Sequence, residues 1–214
     1  LKIDEVFTTA VPIIAAVSAL ISAGVAMREN NIKRVIAYST ISQLAFILVG
    51  LSCGNETGVV GGMLYILMHS AAKGGLFLCA GIVEHNVHTK DMNKMGGLFK
   101  NMPMTATAFI ICAFSIMGIP PFGGFFAKYL VIDGIISAGN IALGIVFILG
   151  AVMTVLYLTR LFVKVFLGPQ VSPDVKEGTP LMVVSVMILA VLTFALGVFI
   201  SLPSGLASLI GRWM

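Results

Sequence analysis

The sequence predicts an all-α polytopic membrane protein of about seven transmembrane helices, and three observations predict it. Hydrophobic residues make up 58% of the 214 residues and charged ones 10%, against roughly 45–50% and about 25% in ordinary globular domains. Mean hydropathy is +1.06. The apolar residues gather in seven runs of 16 to 25 residues: Val6–Met27, Val35–Leu51, Val59–Val83, Met104–Ile119, Pro121–Ala138, Ile141–Thr159 and Leu181–Ile200. Of 22 charged residues, only Lys73, Lys128 and Asp133 fall inside those runs.

A helix needs about 20 apolar residues to cross ~30 Å of hydrocarbon. Lipid offers no partners for backbone groups, so helices are the expected form. The runs do not alternate as barrel strands would. A fold in water could not cover this much apolar surface with so few charges. That excludes a disordered chain and an ordinary cytosolic enzyme. The net charge of +4 comes from the connecting segments, so no nucleic-acid partner is expected. Cys53, Cys79 and Cys112 form neither a disulfide framework nor a CxxC pair. The chain begins at Leu1 with no cleavable signal pattern, and reads as part of something longer.

Along the chain, Ser18 and Ser22 lie among Ala and Gly in the first run, which suits small-residue packing. The connector Arg28–Arg34 follows. The second run carries Tyr38, Ser39, Thr40, Ser42 and Gln43. That hydroxyl and amide content suits a water-lined seam and interhelical hydrogen bonding equally.

The third run holds Tyr65, His69 and Lys73 at i, i+4 and i+8, on one helical face. A charge at the bilayer centre costs roughly 2.5–3.5 kcal/mol on insertion scales, and Lys73 is too deep to snorkel easily. The functional reading is a proton-carrying face on which Lys73 exchanges with His69 or water. The competing reading is a structural lysine bonded to a neighbouring helix's carbonyls. Gly61, Gly62, Gly74 and Gly75 allow close packing or bending there.

Glu84, His85 and His88 open a polar link to Pro103. Two histidines and one carboxylate without a cysteine read as a solvated loop rather than a metal site, so no metal is expected. The fourth and fifth runs meet at Gly118-Ile119-Pro120-Pro121-Phe122-Gly123-Gly124. Pro120, Pro121, Gly123 and Gly124 are expected to break the helix at membrane depth, which is tolerable only beside protein or a watery cavity. Lys128 follows the break, where freed backbone could solvate its charge. Asp133 is five residues on, off the usual spacing of helical pairs, and is not expected to pair with Lys128. Gly168 to Pro180 carries three prolines and reads as a loop before the last run.

If every run crosses, one side holds Arg28, Lys33, Arg34, Lys90, Lys94, Lys100 and Arg212, and the other Lys2, Arg160, Lys164 and Lys176. The excess favours the first side as cytoplasmic. No nucleophile elbow, zinc-protease or phosphate-loop motif occurs, so no cofactor is expected.

Ile32-Lys33-Arg34-Val35-Ile36-Ala37-Tyr38-Ser39-Thr40-Ile41-Ser42-Gln43 closely resembles the signature of antiporter-like proton-translocating subunits. These are the large membrane subunits of respiratory complex I, Mrp-type Na+/H+ antiporter subunits, and their relatives in energy-converting hydrogenases. Met68-His69-Ser70-Ala71-Ala72-Lys73, Met95-Gly96-Gly97-Leu98 and Gly118 to Lys128 are similar to that family in the same order.

The resemblance implies a fold of about fourteen helices with two inverted five-helix repeats. This chain would supply one helix and its basic loop over 1–34, the second repeat over 35–168, and a loop and C-terminal helix over 169–214. It implies proton-translocating roles for Lys73, His69 and Lys128, with Tyr65, Ser39, Ser42 and Gln43 lining the path. It implies a bacterial or archaeal plasma membrane, other membrane subunits as partners, and protons as cargo, with Na+ as the alternative. The chain would hold no redox centre, acting as a pumping subunit of an oxidoreductase of the NADH:quinone or hydrogenase type. A cation-antiporter subunit and a non-conducting assembly subunit are the alternatives. Two positions depart from the pattern. Asn31 stands where many members have Asp, and Tyr65 where some have a second histidine. A tyrosine does not readily accept a proton near neutral pH.

Overall fold

The computed structural model describes residues 3–169 and 175–211. It is all-helical apart from one isolated bridge between Asn31 and Asp91. The helices are α1 (Ile3–Arg28), α2 (Ile32–Leu51), α3 (Glu56–Val87), α4 (Pro103–Met117), α5 (Gly123–Ser137), α6 (Ile141–Phe162), α7 (Pro180–Val198) and α8 (Ser201–Gly211), with a π-helical turn at Val163–Leu167. Each of the seven apolar runs is thus helical. Among the described residues, five helices are long and apolar enough to cross a membrane. Large apolar side chains stay exposed on the outer faces of α1, α6 and α7, among them Ile14, Ile145 and Ile188.

The third helix is the spine. Its 32 residues span about 48 Å at 1.5 Å per residue. The two 15-residue helices α4 and α5 lie end to end along it, running the opposite way. Gly75 of α3 faces Cys112 of α4, Met68 faces Gly123, Gly61 faces Leu130 and Val131, and Gly58 faces Gly134. The fourth and fifth apolar runs are therefore two halves of one interrupted track.

That stacking corrects the assignment of loops to sides. Arg160 at the end of α6 donates to the Glu29 carbonyl (2.8 Å) and to Asn30 Oδ1 (2.6 Å). Lys164 donates to Asn93 Oδ1 at 2.7 Å, and Asn101 Nδ2 to the Val175 carbonyl at 2.8 Å. Arg160, Lys164 and Lys176 thus share a face with the Arg28–Arg34 connector instead of lying opposite it. The sequence tally went wrong because it counted two reversals where the stacked halves make one. Nine Lys and Arg residues lie on this face, and among the described residues none lies at the other end; Lys2 and Arg212 fall outside the described residues.

Local hydrogen bonds hold the basic face in shape. Asn31 caps α2, its Oδ1 accepting from the amides of Lys33 and Arg34 at 3.1 and 3.2 Å. Asn supplies the same capping oxygen as Asp, so that departure leaves the helix start intact. Glu29 Oε1 accepts from the amides of Asn30 and Asn31 at 2.9 and 3.0 Å. Those bonds, with Arg34 beside it, hold the Glu29 carboxyl below the usual carboxylate range despite some desolvation. Glu84 is paired with Lys33 and Lys90.

One feature was not expected: α7 ends at Val198, and a further helix, α8, follows it. Its Ala207 packs into the cluster that holds Leu64, Tyr65 and Met68 of α3. Pro203 sits in the first turn of α8, where a missing N–H breaks no helical bond. The segment 170–174 of the proline-bearing loop, including Pro173, lies outside the described residues.

Candidate functional site

Lys73, His69 and Lys128 are each buried, at 5%, 6% and 5% exposure. Lys73 Nζ donates to Ser39 Oγ at 2.6 Å and to the Ile36 carbonyl at 3.1 Å, both on α2. The spacing that puts Ile36, Ser39 and Gln43 on one face of α2 aims them at the face of α3 that carries Tyr65 and Lys73. Both readings of Lys73 meet here: it is bonded to a neighbouring helix's carbonyl, and it touches a hydroxyl that could relay a proton.

Lys128 is positioned by the break. Gly118 ends α4 in the left-handed region, with φ of 82°, a conformation a glycine adopts without steric cost. The chain then passes Pro120 and Pro121 and re-enters a helix at Gly123. At Gly124 the approach of α5 to α4 is so close that an added Cβ would overlap the Ser115 carbonyl. Lys128 thereby reaches back across the break. Its Nζ donates to the Ile116 and Met117 carbonyls at 2.8 and 3.3 Å, the unpaired end of α4, where the helix dipole favours a cation. The amine also sits 5.1 Å from the centre of the Phe46 ring, a cation–π distance. It is not ion-paired with Asp133, and among the described residues neither buried amine has a carboxylate within 4 Å.

His69 is buried on α3 one turn before Lys73. Its ring meets Tyr65 edge-on at 6.1 Å. Its Nδ1 is buried without a hydrogen-bond partner, as are Ser42 Oγ and Ser115 Oγ. Buried polar atoms are rarely left unpaired. Tyr65 donates to Gln43 Oε1. Gln43 Nε2 donates to Thr154 Oγ1 at 3.0 Å and to Tyr157 Oη at 3.3 Å, and Tyr157 Oη donates to Thr154 Oγ1 at 3.4 Å.

The structure thus joins Ser39 to Lys73, Gln43 to Tyr65, and Lys128 to the broken helix end. Ser42 is buried but unbonded. Pro120 and Pro121 are exposed while Gly123 and Gly124 are buried. Sequence reasoning passed over Thr154, Tyr157 and Phe46. Thr154 and Tyr157 are polar side chains three apart inside an apolar run, the same signal that singled out Ser39 and Ser42. Nothing in the sequence marks Phe46 as the ring beneath Lys128.

Residues 2–154 match the family model described as NADH:quinone oxidoreductase/Mrp antiporter, transmembrane. The chain is 37% identical over 163 residues to NADH-quinone oxidoreductase subunit L of Mycobacterium tuberculosis, covering 74% of this chain and 26% of that protein. It is 31% identical over 207 residues to Na(+)/H(+) antiporter subunit A1 of Staphylococcus saprophyticus, covering 84% and 26%. A chain of respiratory complex I from Thermus thermophilus with bound NADH superposes with a TM-score of 0.86 at 26% identity, covering 96% of this chain and 44% of that one. The chain therefore spans between about a quarter and a half of the length of these relatives.

Proposed function

Because the chain belongs to the NADH:quinone oxidoreductase/Mrp antiporter transmembrane family, we propose that it carries protons across the membrane as part of a larger redox-driven or antiporting complex. One observation carries the reading. Two amines are buried at membrane depth, bonded only to uncharged oxygens, and the buried His69 Nδ1 has no hydrogen-bond partner. An ion pair would lock each lysine in its charged form, whereas carbonyl and hydroxyl partners accept from either form. Protons would pass along Lys73, His69, bridging water and Lys128. Ser39, Ser42, Gln43 and Tyr65 line that path, and repulsion between neighbouring amines drives a proton onward.

In this reading residues 35–168 form the second five-helix repeat, preceded by one helix and followed by a loop and the C-terminal helix. The basic face lies inward by the positive-inside rule, in a bacterial or archaeal plasma membrane. The exposed Pro120–Pro121 backbone supports a partner, since irregular backbone at membrane depth requires protein or water beside it. Other membrane subunits fit that need.

Proton pumping by the complete complex, reconstituted with Lys73→Ala or Lys128→Ala, tests the proposal. It predicts loss of pumping by assembled variants; normal pumping would refute it. A second reading, an antiporter subunit, is favoured by the similarity to the Staphylococcus protein. A Na+ dependence of proton movement separates the two. A non-conducting assembly subunit predicts that both lysine variants pump normally.

A further inference from the structure

We propose that α7 is a splint across the interrupted α4–α5 track, and that its Gly197 is a positioning residue for Lys128. The inference rests on the proton-carrying reading of Lys128.

Helix α7 buries one narrow stripe. Val186, Ala190, Thr193 and Gly197 are its buried residues, at i, i+4, i+7 and i+11, on one face. The stripe ends in a glycine where α7 meets the break. A Cβ added at Gly197 would lie 2.6 Å from the Gly123 nitrogen, 2.6 Å from the Pro121 carbonyl oxygen and 2.7 Å from the Phe122 Cα. Backbone therefore rests on backbone, with no side chain between them to adjust. The Phe122 ring, buried at 6% exposure, meets Phe194 of α7 at 5.7 Å and Phe114 of α4 at 5.9 Å, edge-on to each. Gly123 also abuts α3, where a Cβ on it would overlap Met68 Sδ, the side chain next to His69. The break is held between α3 and α7.

The other end of α7 is tied to the start of α4. Neither Met102 nor Phe122, the residues that precede α4 and α5, caps its helix with a side-chain hydrogen bond. Glu177, in the loop that leads into α7, does so for α4. Its Oε2 accepts from the Met104 amide at 3.0 Å and its Oε1 from the Thr105 hydroxyl. Through Glu177 and Gly197, α7 is thus fixed to the first turn of α4 and to the first turn of α5. It bridges the gap that the two prolines open, and so sets the offset between the two short helices. Lys128 is where that offset matters. It lies one turn beyond Gly124 on the same face of α5, and it must reach the Ile116 carbonyl of α4, 2.8 Å from its Nζ. Carbon contacts settle at about 3.5–4.0 Å, so a methyl group at position 197 must drive the break back by about 1 Å. The root of Lys128 moves with it.

The test puts that methyl group in. The complete complex would be reconstituted with Gly197→Ala, Phe194→Leu or Gly74→Ala, its proton pumping measured, and the structures of the assembled variants determined. Gly197→Ala should lower pumping about a hundredfold, the loss that a misplacement of about 1 Å can cause, with Lys128 Nζ out of hydrogen-bond reach of the Ile116 carbonyl. Phe194→Leu removes the ring contact without wedging the backbones apart, and should lower pumping about tenfold, the equivalent of one aromatic pair. Gly74→Ala adds a methyl group that meets Leu189 of α7 at an ordinary 3.5 Å, and should pump like the parent. An assembled Gly197→Ala complex that pumps normally overturns the proposal. So does one that fails to pump with the Lys128–Ile116 bond in place, because Gly197 would then serve the fold alone. An equal loss in Gly74→Ala overturns it too, since any disturbance of α7 would then suffice. If Gly197→Ala does not assemble, Phe194→Leu decides, and its normal pumping overturns the proposal. Lys128→Ala runs alongside. Its loss of pumping beside a normal Gly197→Ala defeats this inference alone, whereas its own normal pumping defeats the reading beneath it.

Discussion

The Lys128 ammonium of α5 donates to the Ile116 carbonyl 2.8 Å away, and so caps a helix to which it does not belong. The bond closes the gap that the Pro-Pro break opens. It also gives Lys128 two separable duties, one structural and one chemical. Lys128→Gln keeps an N–H donor for the α4 carbonyls, while Lys128→Leu leaves them buried and unpaired, at a cost of about 1–3 kcal/mol. Thermal unfolding of the complex should therefore rank Leu well below Gln. Pumping should be lost in both, because neither side chain titrates.

Close approach at the break predicts a second effect. Gly124→Ala pushes a methyl group into the Ser115 carbonyl and should destabilise the protein by about 1–3 kcal/mol, as overpacking does. Gly81→Ala, on α3 with nothing within 4 Å of the new Cβ, should be neutral or stabilising. Denaturation of the two variants side by side checks the contrast.

How much of this was legible in the sequence depends on what kind of signal each feature leaves. Hydropathy marks a span regardless of what it packs on, so all seven runs were readable. A charge inside a run is conspicuous for the same reason, so Lys73 and Lys128 stood out. The end-to-end stacking of α4 and α5 was not readable, because run length does not say whether two short helices cross separately or share one track. The side of the membrane assigned to Arg160, Lys164 and Lys176 followed that count and was wrong with it. Thr154 and Tyr157 were missed although their signal was present, since a single hydroxyl in an apolar run is usually a local backbone bond. Helix α8 was missed because its Pro203 and Gly205 are poor helix formers, and its 11 residues are too few to span a membrane.

The start of α2 offers a third check. Asn31→Ala removes the acceptor for two amides and should cost about 1 kcal/mol. Asn31→Asp keeps the acceptor, adds a charge favourable to a helix start, and should equal or exceed the parent in melting temperature.

Glu29 predicts a pH dependence. Its carboxyl titrates lower in the folded chain than its ordinary value of 4.5, chiefly because it accepts the Asn31 amide. A depressed folded value means that its contribution to stability is fully present above the unfolded value. That contribution is lost as pH falls through the folded one. Melting temperature should thus drop on acidification below about pH 4.5, and Glu29→Gln should show a shallower drop over the same range.

The central claim is that the two buried amines communicate through a wet interior. It is tested most directly by resolving ordered water in the complete complex at high resolution. The account predicts a chain of water molecules from Lys73 past His69 Nδ1 to Lys128, with Ser42 and Ser115 among its partners. Continuous dry packing between His69 and Lys128 would contradict it.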